Sequence, residues 1–163
     1  MRKFLSLAIA CAPLWAQTLP KTELETLAGS KLTLPDAAMG KTALLIVGFS
    51  HASSKPTGEW AKELDADCRS HPRLVCYQIA VLQDAPRMIR GFITGGIKRD
   101  IPKDRRNSFL ILVHDEDTWK RLAAFSDPDD AYLVIIDERS NIHWKTHGSL
   151  TPAAIKLLRE QLP

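Results

Sequence analysis

Cysteine is scarce in this chain, with three in 163 residues. Cys11, Cys68 and Cys76 include no C-x-x-C pair and no zinc-type spacing. Glycine is scarce too, eight in all. None of them builds the G-x-G-x-x-G loop that lets a backbone approach a dinucleotide, which argues against a doubly wound nucleotide-binding fold. No G-x-S-x-G elbow is present to expose a serine nucleophile. The acidic runs Asp115–Asp117 and Asp127–Asp130 lack calcium-loop spacing and read as turn and cap chemistry. Beyond the N-terminus, no apolar run is long enough to span a bilayer.

Apolar residues make up 45% of the chain and charged ones 25%, which suits one globular domain with a real core. The N-terminus stands apart. "MRKFLSLAIACAPLWAQ" pairs a basic start, Arg2 and Lys3, with a short apolar run and small residues. This pattern predicts a secretory signal peptide over 1–16, cleaved after Ala16, with a folded domain over 17–163. Cys11 leaves a lipoprotein alternative. Losing Arg2 and Lys3 takes 22 Lys and Arg to 20, against 19 Asp and Glu. The near-neutral mature charge and the export signal both argue against a nucleic-acid partner.

Along the domain, Ala28-Gly29-Ser30 separates two short alternating runs, as in a hairpin. Pro35 to Gly40 makes a second turn. "TALLIVGFS", "LVCYQIAVL" and "SFLILVHDE" are continuous apolar runs, expected of strands buried on both faces. Between them, helix is expected from about Pro56 to Arg69, with Trp60, Leu64 and Cys68 on one face. A second helix follows in "APRMIRGFITGGI", with Met88, Ile89, Phe92 and Ile93 apolar, weakening at Gly95-Gly96. "DTWKRLAAF" reads as a short helix capped by Asp117. "AYLVIIDERSNIHWKTHG" reads as a hairpin turning at Glu138 to Asn141. Thr151 and Pro152 then cap and open a last helix. Strand–helix alternation requires a largely parallel central sheet, and the closing hairpin makes it mixed.

This order, hairpin first and hairpin plus helix last, resembles the thioredoxin-like superfamily, on its peroxiredoxin and thiol-disulfide oxidoreductase branch. The resemblance implies a three-layer α/β sandwich with a mixed sheet. In that branch the first long strand ends in phenylalanine and the C-x-x-C begins five residues later. Counting from Phe49 reaches Ser54-Lys55-Pro56-Thr57, with hydroxyls at both thiol positions. The proline that usually precedes the penultimate strand is displaced as well, since Pro128 stands four residues before Tyr132. A narrower similarity links Tyr132, Leu133, Asp137, Ile142, Trp144 and Gly148 to the mitochondrial ATP synthase assembly factor family, whose domain also lacks the redox pair.

Hydroxyls do not ionise near neutral pH, so Ser54 and Thr57 cannot exchange disulfides. The expected reading is an exported, redox-inactive protein that binds, assembles or chaperones a partner in the cell envelope, with no cofactor and no metal. His51, Ser53, Ser54 and Thr57 are its candidate binding positions, with Ser54 expected to cap the helix. Arg87, Arg90, Lys98, Arg99, Lys103, Arg105 and Arg106 form a candidate basic patch for an acidic partner or for peripheral contact with an anionic membrane. Two alternatives stay open. One is a divergent thiol enzyme using Cys68 or Cys76. The other is a metal carrier drawing on those thiols and on His51, His71, His114, His143 and His147.

Overall fold

The continuous apolar runs become the central strands of a seven-stranded sheet. The structure is a computed structural model that describes residues 17–163; the expected signal segment, with Cys11, lies outside the described residues. Strands β1 (Thr22–Thr26) and β2 (Lys31–Leu34) form the first hairpin. Then come β3 (Thr42–Gly48), α1 (Ser54–Glu63), α2 (Asp65–Ser70), β4 (Leu74–Val81) and α3 (Arg87–Asp100). The chain closes with β5 (Phe109–Leu112), α4 (Glu116–Ala123), β6 (Ala131–Ile136), β7 (Ile142–His147) and α5 (Pro152–Arg159).

Spatial order is β2-β1-β5-β4-β3-β6-β7. The middle three strands run parallel, joined by helical crossovers, while β6 runs antiparallel to β3 and β1 to β5. Helices cover both faces. On one, Trp60 and Leu64 from the α1 region and Leu158 from α5 pack on Leu44, Ile46, Leu133 and Ile135. On the other, Trp119 and Leu122 of α4 pack with Leu45, Val47, Tyr132 and Val134. Alternate residues of β3 therefore serve opposite cores, which explains its unbroken apolar run. The mixed α/β sandwich is as expected.

Several local expectations need correction. The first helix begins two residues before Pro56 and breaks at Leu64 into α1 and α2. Helix α3 continues through Gly95-Gly96 to Asp100. Asp117 lies inside the first turn of α4; the N-cap is Asp115, in the left-handed region with no side-chain capping bond. Thr151 caps α5 as expected, accepting from the Ala154 N–H at 3.1 Å, with Pro152 in the first turn.

Candidate functional site

The C-terminal end of β3 delivers the chain into a tight turn before α1. Gly48 sits there, between Ala80 of β4 and Ala131 of β6 in register. A Cβ on Gly48 would lie 2.6 Å from the Ser53 Oγ and 3.2 Å from the Thr57 methyl. Only glycine lets the turn close this tightly. Within it, Ser53 N donates to Ser50 Oγ at 3.1 Å and Ser50 N donates to Ser53 Oγ at 3.2 Å. The Ser53 hydroxyl also donates to the Ser50 carbonyl at 2.8 Å. This reciprocal pairing has the logic of a capping box. Ser53 is fully buried and closes the turn.

The expectation that Ser54 caps the helix is overturned. Its exposed hydroxyl donates to the His51 carbonyl; the N-cap is Ser53, which makes no side-chain capping bond, and the Ser50–Ser53 bonds close the turn ahead of the helix. Thr57 is buried; its hydroxyl donates to the Ser53 carbonyl at 2.9 Å, with the Ser54 carbonyl at 3.1 Å, and lies 3.4 Å from Gln78 Nε2. The hydrogen bonds of these hydroxyls go to backbone groups and Gln78, and none reaches the exposed His51 ring. No activated serine–histidine pair is formed. Gly48→Ala is expected to cost about 1–3 kcal/mol, the usual range for overpacking. Urea unfolding checks this, with Gly58→Ala as control because a Cβ there meets nothing within 4 Å.

Beside this turn stands an aromatic cluster that joins residues far apart in the sequence. Phe49 meets Phe125 and Tyr132 edge-on, with centroids 5.2 and 5.3 Å apart. Tyr132 stacks on Phe125 and on His147. The Tyr132 hydroxyl accepts from Ser126 N and Asp127 N and donates to the Asp127 carbonyl, fixing the loop before β6. His147 Nδ1 lies 2.6 Å from Asp130 Oδ2. The one cis peptide among the described residues is Leu34–Pro35, so the bond before Pro128 is trans.

Solved structures share this arrangement of elements. The chain is similar to the pneumococcal exposed lipoprotein thioredoxin Etrx1 of Streptococcus pneumoniae strain TIGR4, at 17% identity and TM-score 0.58, covering 88% of this chain and 100% of that one. It is similar to a putative thiol:disulfide interchange protein DsbE of Chlorobium tepidum, at 14% identity and TM-score 0.62, covering 90% and 93%. BsSco, a member of the Sco family of cytochrome c oxidase assembly proteins, matches at 10% identity and TM-score 0.57, covering 90% and 92%. The fold is thioredoxin-like. No protein-family model and no curated protein sequence matches the chain.

In this thioredoxin-like domain the thiols lie away from the α1 N-terminus. Cys68, in the C-terminal half of α2, is disulfide-bonded to Cys76 of β4, with Cα atoms 5.9 Å apart. Both sulfurs belong to residues lining a cleft of about 350 Å³, with Arg69, Gln78, Ile101 and Arg105. Across it, Asp65 pairs with Arg69 and Arg105, and Arg69 also pairs with Asp104. These bonds raise the Arg69 pKa, chiefly through Asp65 and then Asp104.

The basic patch is divided by the fold. Arg105 is paired with Asp65 and donates to the Ala61 carbonyl. Arg90 donates to the carbonyls of Ala85 and Gln83, and Arg106 to those of Ile101 and Lys98. Arg90 and Arg106 therefore brace their own segment, while Arg105 ties it to α1 and α2. Arg87, Lys98, Arg99 and Lys103 are exposed and form no ion pair among the described residues. The metal-carrier alternative finds no support in the geometry. Among the described residues no three His, Cys, Asp or Glu side chains gather, and both thiols are consumed in the disulfide. A bulge between Ile135 and Ile136 leaves His143 as the extra residue on β7.

Proposed function

We propose that this thioredoxin-like domain is an exported binding or assembly protein that does no redox chemistry at the start of α1. One observation carries the reading. The hydroxyls of Ser54 and Thr57, at the helix start where the resemblance puts a redox dithiol, both donate to local carbonyls. They hold the first turn of the helix, and an un-ionised hydroxyl oxygen cannot take part in thiol–disulfide exchange. Export draws support from the basic-then-apolar start of the chain and from a similar structure described as an exposed lipoprotein. An assembly role draws support from the resemblance at Tyr132 to Gly148 and from the likeness to a Sco-family assembly protein. The partner is a protein of the cell envelope, met by the exposed turn at His51 and Ser54.

A second reading rests on the cleft beside Cys68–Cys76, which gives a thiol reagent a way in. Two features weigh against it. Cys68 sits toward the C-terminal end of its helix, where the backbone dipole disfavours a thiolate. The nearby arginines are already paired with Asp65 and Asp104. An insulin-reduction assay with dithiothreitol separates the two readings. The binding reading expects turbidity no faster than the buffer control. Activity that disappears in Cys68→Ala or Cys76→Ala would overturn it. Cross-linking from position 54 in envelope extracts is expected to trap one protein reproducibly.

A further inference from the structure

Helix α3 presents three large apolar side chains to solvent. Met88 is 96% exposed, Phe92 80% and Ile89 47%, and none of the fourteen residues of α3 is buried. On a 3.6-residue turn, Met88, Phe92, Gly95 and Arg99 fall on one outward stripe. The inward side is anchored separately. Ile97 and the following Ile101 pack on Leu27, Phe109 and Ile111. At the other end Arg90 ties the first turn to the Gln83 and Ala85 carbonyls. The helix is thus held from behind, with its apolar crest outward.

The crest is flanked by cations. Arg87 precedes Met88, Lys98 and Arg99 follow Phe92, and Lys103 lies just beyond the helix, all exposed and without ion pairs among the described residues. The exposed acids nearest in sequence are Asp84, before the helix, and Asp100 at its end. Asp100 points about a third of a turn away from the stripe; Asp104 is taken by Arg69.

We propose that α3 docks this protein peripherally on an anionic phospholipid surface, with Met88 and Phe92 entering the interfacial layer and Arg87, Lys98, Arg99 and Lys103 meeting the headgroups. Charge complementarity selects the occupant. A second copy would bring the same cations against themselves. Shape argues in the same direction. Gly91, Gly95 and Gly96 add no side chains around Met88 and Phe92, so the two stand as a ridge with no groove beside it. A protein partner must supply a matching pocket for such a ridge, whereas a bilayer interface receives projecting apolar groups without one. Basic residues beside an apolar helix face are what anionic membranes attract. This goes beyond the proposed partner binding and does not depend on it.

Vesicle flotation of the purified full chain tests the proposal. Vesicles of phosphatidylglycerol mixed with phosphatidylcholine are compared with phosphatidylcholine alone. The expected result is binding to the anionic vesicles only, weakened by salt. Met88→Asp with Phe92→Asp, and separately Lys98→Glu with Arg99→Glu, are each expected to lower the bound fraction at least about tenfold. These positions are exposed, and unchanged thermal melts would show that the fold survives. Phe92→Trp gives an independent reading, because its emission shifts to the blue on insertion. Absence of anionic-vesicle binding, or binding that neither double variant reduces, overturns the proposal. So does a dimer of the wild type that Phe92→Asp dissociates, or an acidic protein captured through α3 by a chain that ignores vesicles.

Discussion

Trp60→Ala is expected to lower the unfolding free energy by about 4 kcal/mol, the largest single-residue effect anticipated here. Trp60 is 1% exposed and packs in the core formed by Leu44, Ile46, Leu133, Ile135 and Leu158. Truncation leaves a void beneath α1 that the β3–β6 pair, hydrogen-bonded along its length, cannot collapse to fill. A second loss accompanies it. Trp60 Nε1 donates to the Gly148 carbonyl at 3.0 Å, linking α1 to the chain just after β7. At about 2–4 °C per kcal/mol for a domain of this size, the melting temperature should fall by roughly 8–16 °C. Trp60→Phe keeps much of the volume but removes the N–H, and should cost about 1–2 kcal/mol. Urea titration followed by circular dichroism measures both. A Trp60→Ala loss below about 1 kcal/mol would contradict this account of the core.

Breaking the Cys68–Cys76 bond is expected to cost about 2–3 kcal/mol. The bond closes a loop of sequence separation 8, and the chain-entropy estimate for so short a loop falls in that range. The consequence should be local as well as global. Helix α2 has no buried residue of its own; the disulfide ties it to β4, and exposed ion pairs from Arg69 to Asp104, Arg105 to Asp65 and Arg159 to Asp67 tie it to the segment after α3 and to α5. Exposed ion pairs of this kind contribute little on their own. Reduction by dithiothreitol, or Cys76→Ala, should therefore speed hydrogen exchange across residues 65–70 while β3 and β6 stay protected. Uniform acceleration throughout the sheet would show that the bond carries more of the fold than this reading allows.

Tyr132, Asp137 and Gly148 have visible structural tasks. Tyr132 ties down the loop before β6, and Gly148 adopts φ +115° while its carbonyl receives Trp60. Asp137 closes the β6–β7 turn by accepting from Arg139 N, Asn141 N and Asn141 Nδ2. Burial pushes its carboxyl up, but the bonds from Asn141 and Arg139 prevail and hold it below the ordinary aspartate value. Tyr132, Asp137 and Gly148 thus each fix a turn or loop at the β6–β7 end of the sheet.

Strand identity was legible because fully buried strands need unbroken apolar runs, and Leu44 to Val47 supply one. The closing helix was legible because Thr151 and Pro152 act within one turn. The absence of thiols at positions 54 and 57 is likewise a property of the sequence alone: no folding can make a hydroxyl trade electrons. What the hydroxyls do instead required the tertiary structure. Ser50 and Ser53 pair with each other in the turn because Gly48 lets it close against Ser53, and that approach has no signature in residue type. The apolar residues of α3 read like any core-facing set; only the docking of Ile97 and Ile101 beneath them turns Met88 and Phe92 outward. The pairing of Cys68 with Cys76 was also decided in three dimensions, where a break at Leu64 sets α2 against β4. Composition and local pattern determined which segments are strand or helix and which chemistry is absent. Packing between distant segments decided which side chains close turns and which face the surroundings, because those contacts join residues that sequence spacing does not relate.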